Sequence, residues 1–279
     1  MNNTIRLSNG IEMPNLIQGI PLAGPNASMG YEKFCKIVNL SIDCGVRAFD
    51  TSSAYGPSEE AIGKMMPSLK RDELFITTKI SNVQQEMGDI EKCVNRALEL
   101  MRTDYIDCML LHWPCPGYIE NYKKLEKEYQ KGKLRSIGIA NTQERHIRRL
   151  QQDDISIMPH IMQTEIHPFR TEEGMLKASK ECDIVLQACS SLMGMRPMLS
   201  QNNLLNEIAE KYGKTLSQIV IRWHIQRGIA PVFRAFKENH LRQTVDVYNF
   251  VLSDEDMNSI SSLNIDYRLH PESMNCPGY

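Results

Sequence analysis

No apolar run in the 279-residue chain approaches the roughly twenty residues that a membrane-spanning helix needs, so a helical membrane protein is not expected. The N-terminus, MNNTIRLSNG, has no apolar signal core, which points to a cytoplasmic rather than a secreted protein. No excess of either charge sign is present. The net charge is −2, with 32 basic residues interspersed among acids, which offers neither nucleic-acid phosphates nor an anionic membrane a basic face. The densest cationic cluster, Arg145 to Arg149, reads as a solvated helix face. The eight cysteines form no CxxC pair and no ligand-like spacing, so reduced, mostly packed thiols are expected. Among the seven histidines only His160 and His167 approach a metal-like pair. They flank a strand rather than share a helix face, so no metal is expected. There is also no Pro/Gly/Ser-rich linker, repeat or low-complexity tract, so residues 1–279 read as one domain. With 42% hydrophobic and 24% charged residues, the chain has the balance of a globular protein able to bury a core.

What is present is alternation. Residues 4–13 alternate around Asn9-Gly10, a strong hairpin signal. Short apolar runs then follow one another at 16–20, 46–49, 74–79, 105–112, 134–140, 161–165, 184–189 and 229–233. Between them lie segments of helical period. One is 29–44, with Phe34, Ile37, Val38 and Ile42 on one face and Gly45 as its stop; another is 90–101, with Asp89 as N-cap. Eight strands, each followed by a helix at crossover spacing, predict a (β/α)8 TIM barrel with an N-terminal β-hairpin closing the barrel bottom. A doubly wound open sheet would give the same alternation, but no GxGxxG follows the first strand.

In such a barrel the chemistry belongs at the C-terminal ends of the strands. Asp50, Lys79 and His112 each close an apolar run, and Tyr55 lies on the loop just beyond Asp50. Taken singly, each has a plainer explanation. Asp50 would cap a turn with Thr51 and Ser52, and Tyr55 would be a half-buried ring. Lys79 would be a surface amine, and His112 a satisfied histidine before Trp113-Pro114. Together they form an acid–base set around one oxygen. A phenol can protonate the oxygen of a reduced carbonyl if a nearby ammonium draws its pKa down from about 10, and a carboxylate keeps that ammonium charged. A neutral imidazole would orient the carbonyl or relay the proton.

The segments FDTSSAYGPSEEAIG, LFITTKI, DYIDCMLLHWP, KGKLRSIGIAN, QTEIHP and SQIVIRWHIQRG resemble, in content and order, those of the aldo-keto reductases across nearly the whole chain. The resemblance implies an eight-stranded barrel that binds NADP(H), with NAD possible, and an oxidoreductase interconverting an aldehyde or ketone and its alcohol. It places the family's tetrad on Asp50, Tyr55, Lys79 and His112, with Tyr55 as general acid. Nicotinamide-amide contacts fall on Asn141 and Gln163. A small carbonyl or alcohol is the implied partner, with a monomer or small homo-oligomer as the assembly.

Departures from the family pattern concentrate at the cofactor. Ala140-Asn141 stands where Ser-Asn is common, and Cys189-Ser190-Ser191-Leu192 where a Tyr-Ser-Pro-Leu segment supplies a ring that stacks on nicotinamide. Losing that ring removes on the order of a kcal/mol beyond buried area. Val232-Phe233-Arg234-Ala235 replaces Ile-Pro-Lys-Ser, leaving Arg234 to pair with a 2′-phosphate. A later phosphate-binding arginine falls near His240, and Ile20-Pro21 replaces an aromatic wall of the substrate pocket. These changes keep open a non-redox isomerase or lyase, or a nucleotide-sensing pseudo-reductase. Substrate choice would lie in the loops after the strands and in the tail from Tyr267 to Tyr279, whose end either closes over the site or covers the barrel wall.

Overall fold

The apolar runs pair with one another as parallel strands, and the helical segments cover them. The computed structural model describes residues 3–271, so the tail beyond Pro271, with Cys276, lies outside the described residues. In chain order the elements begin with the hairpin β1 (Thr4–Arg6) and β2 (Glu12–Pro14). Then come β3 (Ile17–Gly19), α1 (Tyr31–Asp43), β4 (Ala48–Asp50), α2 (Ser58–Met65), β5 (Phe75–Ile80), α3 (Asn82–Met87) and α4 (Ile90–Met101). The middle of the chain gives β6 (Cys108–Leu111), α5 (Tyr118–Gln130), β7 (Ile137–Ala140), α6 (Glu144–Gln152), β8 (Ile161–Glu165), α7 (Glu173–Glu181) and β9 (Val185–Cys189). The remainder is α8 (Pro197–Ser200), α9 (Asn203–Tyr212), α10 (Leu216–Gln226), β10 (Ala230–Phe233), α11 (Glu238–Val245) and α12 (Asp254–Ser261). Strands β3 to β10 close into a parallel barrel in sequence order, with β10 against β3. The expected barrel and hairpin are both present.

The pleat sorts side chains into two cores. Phe49, Ile76, Met109, Ile137, Ile139, Met162 and Leu186 belong to the layer between barrel and helices. Ile17, Ala48, Phe75, Cys108, Leu110, Ile161 and Val185 form a second cluster inside the barrel, which Leu7 and Met13 of the hairpin join. The hairpin thus plugs the end from which the strands start. Its register, Ile5 opposite Met13, aims Met13 inward, fully buried.

Toward the other end the interior turns polar. Gln18, Asp50, Thr77, Lys79, Gln163 and Gln187 are all buried there. Burying Asp50, Lys79, Gln163 and Gln187 is tolerable because they bond to one another, as described below, while Gln18 donates to the Ala235 carbonyl at 2.9 Å. Gly138 permits the tight closure of β7, since a Cβ there would lie 1.8 Å from the Ile161 carbonyl oxygen. Asp107, the one charge in the fourth apolar run, is answered by Arg71 at 2.6 Å and by the Ile76 N–H at 2.9 Å, so it holds β5 to β6 away from the polar end.

Candidate active site

Asp50 and Lys79 meet first. They sit on adjacent strands, and Lys79 Nζ donates to Asp50 Oδ1 and Oδ2 at 2.6 and 2.7 Å and to the Thr51 carbonyl at 2.9 Å. An ammonium has three hydrogens, and here three acceptors receive them. Lys79 is 1% and Asp50 3% exposed. Burial opposes the lysine's charge more than any single neighbour supports it, yet the charge and hydrogen bonds of Asp50, with smaller help from Tyr55 and Cys189, together raise the Lys79 pKa.

Tyr55 reaches this pair from the loop after β4. Its N–H donates to the Ser52 carbonyl at 2.9 Å, and its own carbonyl accepts from Leu22 N–H at 3.1 Å. The next residue, Gly56, has φ +62, and a Cβ there would lie 2.5 Å from the Leu22 carbonyl oxygen, so only glycine lets the two loops cross. Lys79 Nζ lies 5.2 Å from the Tyr55 ring centroid. The His112 ring stands edge-on to the Tyr55 ring, 5.5 Å between centroids. All four strand-end groups therefore converge.

One expectation fails. Lys79 was expected to draw the Tyr55 phenol down; instead burial pushes its pKa above the ordinary value. The lysine does act downward, less than burial acts upward, and Asp50, 2.6 Å from the ammonium, acts upward at the same phenol and offsets part of that field. Burial likewise holds His112 neutral, its pKa lowered to about 3, with the Lys79 charge adding to the effect.

The cofactor-site expectations have mixed outcomes. Gln163 Nε2 donates to Asp50 Oδ2 at 2.8 Å and to Gln187 Oε1 at 2.9 Å, so both amide hydrogens are spent inside the barrel. Asn141, with φ +56, donates Nδ2–H to the His112 carbonyl at 2.8 Å. Cys189 ends β9 close enough to Tyr55 and Lys79 for their charges to interact, and burial lifts its thiol to about 12. Ser190, φ +52, has its hydroxyl 3.1 Å from His270 Nε2. Leu192 is half-buried against the outer core. Arg234 is exposed, and its side chain would lie 3.4 Å from a Cβ on Gly19. Among the described residues no carboxylate pairs with it.

Two groups at the site escaped sequence reading. Gln187 completes the chain Lys79–Asp50–Gln163–Gln187, ending on Met13 Sδ at 3.3 Å. Ser52 touches His112 Nδ1 at 3.1 Å. Parity offered a signal for the first: Gln187 stands two residues before Cys189, as Gln163 stands two before Glu165. Glu165 itself accepts from the Leu269 and His270 N–H groups at 2.6 and 2.9 Å, which draws the C-terminal segment to the barrel mouth. His160 and His167 bond locally, to Ile137 N–H and to Glu165.

Residues 19–265 match the Aldo/keto reductase family. The chain belongs to that family of oxidoreductases. It is 35% identical to the glyoxal reductase of Bacillus subtilis (strain 168) over 273 residues, which cover 97% of this chain and 96% of that protein. It is 31% identical to the methylglyoxal reductase DkgA of Escherichia coli O157:H7, covering 96% of each. Among solved structures, the Bombyx mori aldo-keto reductase in complex with NADP superposes with a TM-score of 0.88 at 26% identity, covering 99% of this chain and 98% of that one. Within this aldo-keto reductase no helix of the described residues is long and apolar enough to cross a membrane.

Proposed function

We propose that the protein reduces short aldehydes and ketones, α-dicarbonyls first among them, at the expense of NADPH, with Tyr55 giving the proton. The observation that carries this reading is the convergence of the Tyr55 ring, the His112 ring and the fully bonded Lys79–Asp50 pair. Glyoxal and methylglyoxal are chosen as first substrates because relatives at 35% and 31% identity are named for them.

The donor set at the mouth suits a nicotinamide dinucleotide phosphate. Asn141 and Gln163 are amides that match a carboxamide, and Arg234 is a cation with no internal partner among the described residues, which matches a phosphate. With its N–H groups engaged, Gln163 has its carbonyl oxygen left to accept from the carboxamide. NADPH supplies the hydride that the carbonyl carbon takes up. The rest belongs to the chain. Neutral His112 holds the carbonyl oxygen by a hydrogen bond, and Tyr55 delivers its phenolic proton to that oxygen as charge develops. Lys79 acts through its field alone, because its own protons are committed.

The test is loss of NADPH absorbance on adding glyoxal, methylglyoxal and a panel of simple aldehydes. Turnover that depends on Tyr55 supports the reading. Nucleotide binding without turnover would replace it with a sensing role. A non-redox conversion of the same compounds, again lost with Tyr55, would replace it with a lyase or isomerase.

Two further outcomes are expected. The reductive kcat should stay flat between about pH 5 and pH 9. The acid form of Tyr55 is the working form for reduction; its raised pKa keeps it protonated throughout that range, and His112 takes up a proton only near pH 3. The reverse reaction needs the phenolate, so its rate should climb with pH over the same range. A break in the reductive profile near pH 6.5 would mean that His112 titrates normally, contrary to this account. Arg234→Ala should raise KM for NADPH by about tenfold or more while changing KM for NADH little, since one charge-assisted contact to the 2′-phosphate is lost. Equal losses for both nucleotides would remove Arg234 from that contact.

A further inference from the structure

Ser52 lies two residues past Asp50, with none of its surface exposed. Its Oγ has three polar neighbours: Ala54 N–H at 3.1 Å, the Lys79 carbonyl at 3.3 Å and His112 Nδ1 at 3.1 Å. The hydroxyl accepts from Ala54 and has a single proton to give. The Lys79 carbonyl already accepts from Ser53 N–H at 3.1 Å and has the Ser53 hydroxyl at 3.0 Å, so it does not need that proton. Among the described residues His112 Nδ1 has no other hydrogen-bond partner. We propose that Ser52 is a positioning residue: it donates its hydroxyl proton to His112 Nδ1 and thereby fixes the ring proton of His112 on Nε2.

The consequence is chemical. A neutral imidazole carries one ring proton, and the nitrogen that bears it depends on what the other nitrogen does. With Nδ1 occupied as an acceptor, Nε2–H is left as a donor. A donor is what a carbonyl oxygen gaining negative charge requires; the other tautomer would present a lone pair to it and repel it. The inference therefore rests on the reading of His112 as the group that meets the substrate oxygen, and it names the residue that makes it competent. The chain reaches this arrangement through its own DTSS segment, in which the hydroxyl follows the strand-end aspartate by two positions.

The experiment reads the ring directly. The full chain, labelled with ¹⁵N-histidine and without cofactor, is examined by long-range proton–nitrogen correlation, and a His112→Asn sample identifies the His112 signals. The wild-type ring should show a pyrrole-type Nε2 and a pyridine-type Nδ1. In Ser52→Ala the pattern should move toward a mixture of tautomers. The kcat for methylglyoxal should then fall about tenfold, the scale of one net hydrogen bond, with KM for NADPH unchanged. A wild-type ring protonated on Nδ1 overturns the proposal whether or not Ser52→Ala folds. A ring pattern unchanged in Ser52→Ala overturns it too, as does a kcat unchanged despite a mixed ring. An Nε2–H ring that is lost in Ser52→Ala supports the assignment even if no carbonyl is reduced, and in that case the reductase reading alone fails.

Discussion

Tyr55→Phe is expected to lower kcat for carbonyl reduction by ~10²–10⁴-fold, the range for loss of a general acid, while leaving KM for NADPH and the melting temperature nearly unchanged. The size of the effect follows from the lack of a substitute. Each of the other three groups is ruled out as a proton donor by its surroundings. Asp50 accepts from Lys79 through both oxygens and from Gln163, so it has no proton to offer in that arrangement. The three hydrogens of Lys79 are taken by Asp50 and the Thr51 carbonyl. His112, neutral down to about pH 3, has no acidic proton to give at working pH. Phenylalanine keeps the ring that packs edge-on to His112 and beneath the Lys79 charge, so the pocket should keep its shape. Turnover of Tyr55→Phe within about threefold of wild type in a single-turnover assay would mean that the proton comes from elsewhere, and the proposed chemistry would go with it.

The barrel was legible because its signal is periodic and long. Eight apolar runs separated by helical segments leave few topologies, and strand ends are the natural place to look for reactive groups. Boundaries were less legible. The run at 46–49 becomes a strand at Ala48–Asp50, because hydrophobicity marks burial whereas a strand is defined by its ladder. The short helix Asn82–Met87 was missed: six residues are too few to show a period, and its one marker is the Ser81/Gln84 capping box.

At the site, residue identity was readable but electrostatic outcome was not. The sequence places an amine near a phenol, yet it cannot weigh desolvation against a carboxylate that neutralises the amine from 2.6 Å. The hydrogen bond between Ser190 and His270 spans 80 positions, and Gln163 meets Asp50 across 113; neither is written in any local pattern. Ser52 was legible as a turn residue only, since its partner His112 lies 60 residues away.

Asp50→Asn should cost about 3–5 kcal/mol of stability at neutral pH, read as a fall in melting temperature of roughly 10 °C, and should reduce turnover as well. Among the described residues the Asp50 carboxylate is the ion-pair partner of an ammonium 1% exposed, and an amide replaces it with a neutral group able to accept at one oxygen only. The pH dependence distinguishes this cause from general disruption. In the wild type the Lys79 pKa is raised by folding, so its stabilisation is complete below the unfolded value of about 10.4 and is lost as pH rises through the higher folded value. In Asp50→Asn burial, the largest influence on Lys79, loses its main opponent, and the folded pKa is expected to drop below the unfolded one. The unfolded chain then binds more protons, so stability should climb with pH across the window between the two values. The sign of the slope inverts. Adding Lys79→Met should recover most of the loss, because the buried charge is removed along with its partner. Additive losses in the double variant, or a melting temperature of Asp50→Asn that falls in parallel with wild type at alkaline pH, would show that the pair is not coupled as described. In that event Lys79 would also lose its assigned part in setting the field around Tyr55.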